Sequence, residues 1–471
     1  MTTERSGPVR GGRALLATVL AAVVLGLGAW WSIPGPDPAA DAPPDPDSLA
    51  IARSQLEQGA AELAWETLAA RLRPDAEAHW LISRAALQRL DRPTAEAALA
   101  EARSLGFVDD PMRTEPAPHV GSARCVSCHA EIGHDQRSSH HALTFADRSE
   151  LGQLPLPDGP IADPEVPAVR HSFRREGDQI LVETEVEGER FAMVLSHLMG
   201  SGHHGTTPVG IDPLGNVVEL RLSYYAGGVG WDLTTGHAPR PGLPSEFLGR
   251  TLPAHEQESC LSCHTTRVEP ADAPARLTVV EGGIGCERCH GPGGNHVAAV
   301  AAGFSEPAIA RPRLASADQV IYLCGDCHRS SDTGPLEASS SPLLVRFQAT
   351  TFVRSACYTR SPAPAAFDCV SCHNPHRDVE TDPAHYETVC LSCHSGGRPA
   401  DPPAESAGPI PSVARTLCPI EPTGGCVSCH MPPRESSMRN TTFTDHHIRV
   451  QRDLPPAGPG TPDRQADRAD E

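Results

Sequence analysis

The longest apolar run lies near the amino terminus. Residues 14–31 ("ALLATVLAAVVLGLGAWW") carry no charge, follow three arginines and end in a tryptophan pair. This pattern predicts a membrane-spanning helix, with residues 1–13 in the cytoplasm. A cleaved signal peptide, with small residues at 38–42 for the peptidase, is the alternative. In either case we expect the rest of the chain to be exported to the periplasm, anchored to the inner membrane or released there.

Helical periodicity dominates residues 49–106, after a proline-rich extended spacer at residues 32–48. Apolar residues recur at helical spacing, as at Leu81, Ala85 and Leu87. Glycine and proline interrupt the pattern and divide it into about four short helices. Helices of these lengths resemble two tetratricopeptide-like hairpins.

Strand periodicity replaces the helical pattern between residues 151 and 258. Ile180, Val182 and Thr184 alternate with polar residues, and a Glu-Gly pair then predicts a turn. The segment "NVVELRLSYY" repeats the alternation. We therefore expect a small antiparallel β insertion in this region.

The predicted body covers residues 120–449, and most of it outside the insertion consists of turns and short helices. The expected fold class is mainly α with much irregular structure, preceded by the helical hairpins and one transmembrane helix. Residues 450–471 are predicted to form a disordered tail.

Composition leaves little material for a conventional core. Aromatic residues make up 4% of the 471 residues, whereas glycine and proline number 41 and 47. Something besides side chains is therefore expected to fill part of the interior. The formal net charge of −20, with no lysine in the chain, disfavours nucleic acid as a partner and favours a protein with a basic face.

Seven Cys-x-x-Cys pairs account for fourteen of the sixteen cysteines, and a histidine follows every pair directly. Two thiols at this spacing reach the two vinyl groups of one porphyrin edge, and the adjacent histidine then faces the iron. The sequence thus predicts seven covalently attached c-type haems. Motifs 1 to 7, in chain order, are Cys125-Cys128-His129, Cys260-Cys263-His264, Cys286-Cys289-His290, Cys324-Cys327-His328, Cys369-Cys372-His373, Cys390-Cys393-His394 and Cys426-Cys429-His430.

Zinc is the main alternative ligand for paired cysteines. Zinc ribbons need no histidine at a fixed position after each pair, and seven half-sites leave one without a partner. Haem therefore explains the pattern better. If haems form the interior, the body is expected to require them for folding.

Histidines outside the motifs are candidates for the second axial position of each iron. His140 remains an alternative to His141, and His447 an alternative to His446. Methionine at Met431 or Met438 is a further option. Less favoured histidines are His119, His203, His204, His237 and His255. The candidates are His141, His296, His376, His446 and, more weakly, His385.

Two cysteines, Cys357 and Cys418, lie outside the motifs. In an oxidising compartment two such thiols are expected to form a disulfide.

The stretches "GIGCERCHGPGGNH", "CVSCHNPH" and "CVSCHMPP" with "FTDHHI" resemble exported multihaem c-type cytochromes with tetratricopeptide repeats. That group is similar to tetrahaem cytochromes and hydroxylamine oxidoreductases. The resemblance covers roughly residues 120–449 and implies distal ligands at His141, His296, His376 and His446. The absence of Cys-x-x-Cys-Lys excludes the lysine-ligated haem of pentahaem nitrite reductases.

Electron transfer between a membrane quinol oxidase module and a periplasmic reductase or oxidase is the function that the sequence favours. An oxidoreductase acting on a small nitrogen or sulfur oxyanion is the alternative. It requires one open iron, in a pocket for which Tyr224, Tyr225 and His237 are candidates. A scaffold that recruits a partner through its helical hairpins is the third hypothesis.

Overall fold

The computed structural model describes residues 46–71, 74–107, 117–270, 277–303, 308–329, 345–360, 367–394, 418–421 and 423–451. Within these ranges no helix has the length and apolar character needed to cross a membrane. The predicted membrane helix at residues 14–31 lies outside them, as do most of the predicted spacer and tail.

Four helices open the described chain and share a small core of their own. Asp75 and Asp91 cap two of them by accepting hydrogen bonds from backbone N–H groups three residues later. Leu56, Leu68 and Leu81 are fully buried between the helices. The helices are α1 (Pro46–Glu57), α2 (Ala61–Ala69), α3 (Ala76–Gln88) and α4 (Arg92–Ser104).

A ten-stranded antiparallel sheet dominates the next part of the chain. Its main path runs β10-β7-β6-β5-β4-β3-β2, while β1 pairs with β5, and β8 pairs with β6 and β9. The strands are β1 (Phe145–Ala146), β2 (Ile161–Ala162), β3 (Arg170–Glu176), β4 (Gln179–Val186), β5 (Glu189–Met199), β6 (Gly205–Ile211), β7 (Val217–Leu220), β8 (Leu222–Tyr225), β9 (Gly230–Leu233) and β10 (Gly249–Thr251).

The expected fold class, mainly α with a small β insertion and one transmembrane helix, is therefore wrong. The sheet is large because short strands such as β1 and β10 join it through partners distant in sequence. Gly249, for example, pairs with Leu220. Strands of two or three residues carry too little alternation to be recognised from sequence. None of the helices in the described ranges could span a membrane, and residues 14–31 lie outside those ranges.

Apolar side chains from alternate positions form the core of the sheet. Ile180 and Val182 on β4 pack with Met193 and Leu195 on β5, as expected for strands with one buried face. A fully buried ion pair joins Asp163 to the guanidinium of Arg221. His171 also contacts Asp163 at 3.3 Å.

The seven motifs lie on short helices around this sheet. One small hairpin, β11 (Thr265–Pro270) with β12 (Leu277–Gly282), connects motifs 2 and 3, and a second, β13 (Pro433–Glu435) with β14 (Thr442–Thr444), follows motif 7. The helices are α5 (Ser122–Val126), α6 (Ala130–Ser138), α7 (Ala254–His264), α8 (Cys286–His290), α9 (Gly294–Ala301), α10 (Ala317–His328), α11 (Gln348–Phe352), α12 (Ala356–Thr359), α13 (Pro383–His394) and α14 (Cys426–His430).

Candidate haem sites

Each motif forms a helical turn. Motifs 2, 3, 4, 6 and 7 end helices α7, α8, α10, α13 and α14 at their histidine. In motifs 1 and 5 the histidine N–H donates to the carbonyl of the first cysteine at 2.9 and 3.0 Å. Residues three apart on a helix lie on one face, so the two thiols of a motif are directed to the same side.

Four motif histidines lie opposite a second histidine from elsewhere in the chain. The ring centroids are 6.1–6.2 Å apart in all four pairs, although the interplanar angles range from 6° to 72°. The pairs are His129 with His296, His328 with His141, His290 with His376, and His373 with His446.

This separation fits one metal ion between two imidazoles. Metal–nitrogen bonds of about 2.0 Å, with each ring nitrogen about 1.15 Å from its centroid, place two trans imidazoles about 6.3 Å apart. The variable angle also fits, because each ring turns freely about its metal–nitrogen axis. Two trans donors leave the equatorial positions to the four nitrogens of a porphyrin, so the donor set fits haem.

Hydrogen bonds at the Nδ1 atoms fix the tautomer of several of these rings. His290 Nδ1 lies 3.0 Å from the Ala310 carbonyl oxygen, and His446 Nδ1 lies 2.9 Å from that of Thr444. A carbonyl only accepts, so Nδ1 carries the proton and Nε2 keeps the lone pair that a metal requires. His264 and His430 make the same contact with backbone carbonyls.

Burial favours the neutral form of four of the paired rings. Burial, followed by the proximity of His446, lowers the pKa of His373 to about 4. Burial likewise lowers the pKa of His328, His376 and His446. Neutral imidazole is the form that binds a metal, so at pH 7 these side chains are ready to act as ligands.

Buried Glu287, inside motif 3, positions motif 1. Its carboxylate accepts hydrogen bonds from the backbone N–H groups of Val120, Gly121 and Gly293, at distances from 2.6 to 3.2 Å. Burial alone would raise the pKa of Glu287, but these N–H groups lower it. The glutamate therefore stays charged and ties the chain before motif 1 to the chain after motif 3.

Glycine at position 294 allows the close approach that brings His296 into place. A Cβ atom there would lie 2.3 Å from the Pro118 side chain. Helix α9 thus begins directly against the segment that leads to motif 1, and His296 on its first turn faces His129.

Other sequence candidates have different surroundings. His385 is exposed, and its ring contacts Tyr386 edge-on; the structure does not bring it opposite a motif histidine. His140, the alternative to His141, contacts Asp378 and the ring of His203.

The residues suggested for a substrate pocket already make hydrogen bonds or ring contacts with residues of the sheet. The Tyr225 hydroxyl donates to the Leu233 carbonyl, and His237 lies 3.0 Å from the Glu219 carboxylate. Tyr224 packs edge-on against Trp231.

The predicted disulfide is wrong. Cys357 and Cys418 are both free. Cys357 lies near the thiols of motifs 5 and 6, whereas Cys418 lies near motif 7.

The motifs contact one another in four pairs. Motif 1 contacts motif 3, motif 2 contacts motif 4, motif 4 contacts motif 5, and motif 6 contacts motif 7. The thiols that lie near each other in these contacts are Cys125 with Cys286, Cys263 with Cys327, Cys324 with Cys369, and Cys390 with Cys426.

Two further cysteine–cysteine contacts, at longer range, connect these motif pairs. Cys289 of motif 3 lies near Cys324 of motif 4, and Cys372 of motif 5 lies near Cys390 of motif 6. All seven motifs therefore form one connected set.

Sequence comparisons with known proteins find cytochromes. A family profile described as "Cytochrome c554 and c-prime" matches residues 246–291, which include motifs 2 and 3. The multihaem cytochrome MtrA of Shewanella baltica (strain OS185) is 25% identical over 224 residues, which cover 39% of this chain and 66% of MtrA. The chain is similar to multihaem c-type cytochromes.

Two solved cytochrome structures overlap the chain only distantly. The undecahaem cytochrome from the S-layer of Carboxydothermus ferrireducens superposes with a TM-score of 0.38 and 14% identity, over 88% of this chain and 64% of that one. The outer cell wall cytochrome OcwA gives a TM-score of 0.37 and 16% identity, over 70% and 80%. Likeness at this level adds nothing to the assignment of the sites.

Proposed function

We propose that this protein is an exported c-type cytochrome that passes electrons along seven covalently attached haems. The four histidine pairs at 6.1–6.2 Å carry the proposal, because each joins a motif to a histidine from a different part of the chain. When bound, haem iron accepts and releases single electrons.

The polypeptide contributes attachment, orientation and close packing. Each pair of thiols would attach one haem, and in motifs 1, 3, 4 and 5 two facing imidazoles would hold its iron. A ligand taken from the flank of another motif would couple the positions of neighbouring haems. His296, which follows motif 3, serves motif 1, and His376, which follows motif 5, serves motif 3.

The motif contacts define a route. The order is 1-3-4-5-6-7, and motif 2 branches from motif 4. A branched route provides two ends and a side entry, which suits a protein that exchanges electrons with more than one partner. Its redox partners are proposed to be a quinol oxidase module and a periplasmic reductase or oxidase with basic docking faces, given the net charge of −20.

The test is to produce the protein in a host that attaches haem to Cys-x-x-Cys-His and to measure its mass after denaturation. We expect seven haem additions that survive denaturation, and uptake of seven electrons in a reductive titration. The matched control replaces Cys426 and Cys429 with serine and is expected to show six of each. Loss of the pigment on denaturation, or an unchanged mass in the control, would contradict the proposal.

A further inference from the structure

A large cavity lies between the sheet and motif 2. It has a volume of about 1130 Å³, and Cys260 opens into it. Its walls are mainly apolar, and its exposed border is charged, with Asp147, Arg148 and Arg175 among the border residues. An apolar interior with a charged border suits a porphyrin, whose propionates remain near solvent.

His197 on β5 forms part of the wall of this cavity. Its Nδ1 lies 3.0 Å from the Ser196 hydroxyl, which donates its single proton to the Val209 carbonyl at 3.1 Å. The hydroxyl can therefore only accept from His197, so Nδ1 carries the proton and Nε2 keeps its lone pair. This is the arrangement that a metal ligand requires.

The same strand region fixes the motif histidine. The Thr144 carbonyl oxygen accepts from His264 Nδ1 at 2.9 Å and from the Gly200 N–H at 2.8 Å. The next residue, Phe145, pairs with Met199 in the sheet, and its ring lies 5.0 Å from that of His197. His197 therefore lies on β5, and His264 is hydrogen-bonded to the residue that precedes the paired strand β1.

We propose that His197 is the second axial ligand of the haem attached at motif 2, opposite His264. The inference rests on the proposed haem at that motif. His197 does not form one of the four close ring pairs, but the register of β5 shifts between Leu195 and His197. Such bulges redirect side chains and allow local adjustment of the strand. The large sheet is then part of the haem-binding body, because it supplies one ligand.

The experiment compares His197→Ala with His134→Ala, an exposed histidine on α6, and with the unaltered protein. Spin states are measured by electron paramagnetic resonance and carbon monoxide binding by absorbance. For His197→Ala we expect one additional high-spin iron and one additional carbon monoxide per chain, and recovery of the original spectrum on adding imidazole. The His134→Ala protein is expected to match the unaltered one.

Seven attached haems with unchanged spin states in His197→Ala would overturn the inference. If the alanine variant loses the motif 2 haem, His197→Met decides, since methionine keeps a sixth ligand and raises the potential. One potential shifted upward supports the inference, and seven unchanged potentials overturn it. Failure of the proposed function is distinguishable, because the unaltered protein would then lack attached haem by mass.

Discussion

The sheet and the motif-bearing region achieve order by different means. The sheet buries its own side chains, including Leu151, Ile180 and Leu220 at 0–1% exposure. The motif helices α5, α13 and α14 bury no residue fully, and the largest apolar cluster near motifs 4 and 5 has three buried members. One region is a conventional protein core, whereas the other has few fully buried apolar side chains of its own.

The difference teaches that stability and function are divided between the two regions. Polypeptide packing alone supports the sheet, whereas the motif region is expected to depend on covalent haem. Through the proposed ligand His197, the sheet would hold the haem of motif 2 in position.

Removal of haem has the largest expected effect. In protein produced without haem attachment, we expect α13 and α14 to lose protection from hydrogen exchange, because they bury no side chain fully in the polypeptide itself. β4 and β5 are expected to stay protected. Equal protection in both regions, measured by mass spectrometry, would remove the distinction between them.

Disruption of the buried ion pair is expected to act on the sheet alone. Asp163→Asn leaves Arg221 buried without its partner and is expected to reduce the free energy of unfolding by about 3–5 kcal/mol. Haem spectra should not change under native conditions. Exposed Asp158→Asn is the control, and a loss below about 1 kcal/mol in denaturant titrations would contradict the assignment.

The pH dependence of this pair has a defined sign. Burial alone would raise the pKa of Asp163, but hydrogen bonds from His171 and Arg221 hold it far below its ordinary value. A lowered folded-state pKa contributes stability above the unfolded pKa of about 4, and this stability is lost as pH falls through the folded pKa. The stability difference between the native protein and Asp163→Asn should therefore shrink on strong acidification.

Glu287→Gln tests how strongly one buried carboxylate stabilises the motif region. One amide oxygen replaces two charged oxygens that accept three backbone N–H groups, so a loss of about 1–3 kcal/mol is expected. Thermal unfolding monitored at the haem absorbance measures it, with exposed Glu258→Gln as the control. Equal midpoints for the two variants would show that the carboxylate does not hold motif 1 against motif 3.

Gly294→Ala has the smallest expected effect. The added Cβ meets Pro118 at 2.3 Å, and relief of this contact is expected to cost about 1 kcal/mol. Gly152→Ala, where a Cβ meets nothing within 4 Å, is the control. A matched denaturant titration in which both variants behave alike would indicate that α9 has room to move.

The sequence was most informative where chemistry is local. The motifs and their flanking histidines are recognisable from spacing, and the structure brings His141, His296, His376 and His446 opposite motif histidines. His197 was missed because "LSHLM" is read as part of a strand. A histidine within an otherwise apolar strand, directly after a serine, is the signal that would have indicated it.

Long-range pairing could not be predicted in the same way. The sheet was underestimated because its short strands are recruited by partners far away in the chain. The disulfide between Cys357 and Cys418 was wrong because pairing by elimination ignores where the backbone places each thiol. Both errors concern tertiary distance, which local periodicity does not encode.

A crystal structure of the haem-loaded protein, phased on the anomalous scattering of iron, tests the central claim most directly. The account predicts seven iron positions, four of them midway between the rings of His129 and His296, His328 and His141, His290 and His376, and His373 and His446. Iron positions away from these midpoints, or fewer than seven of them, would contradict it.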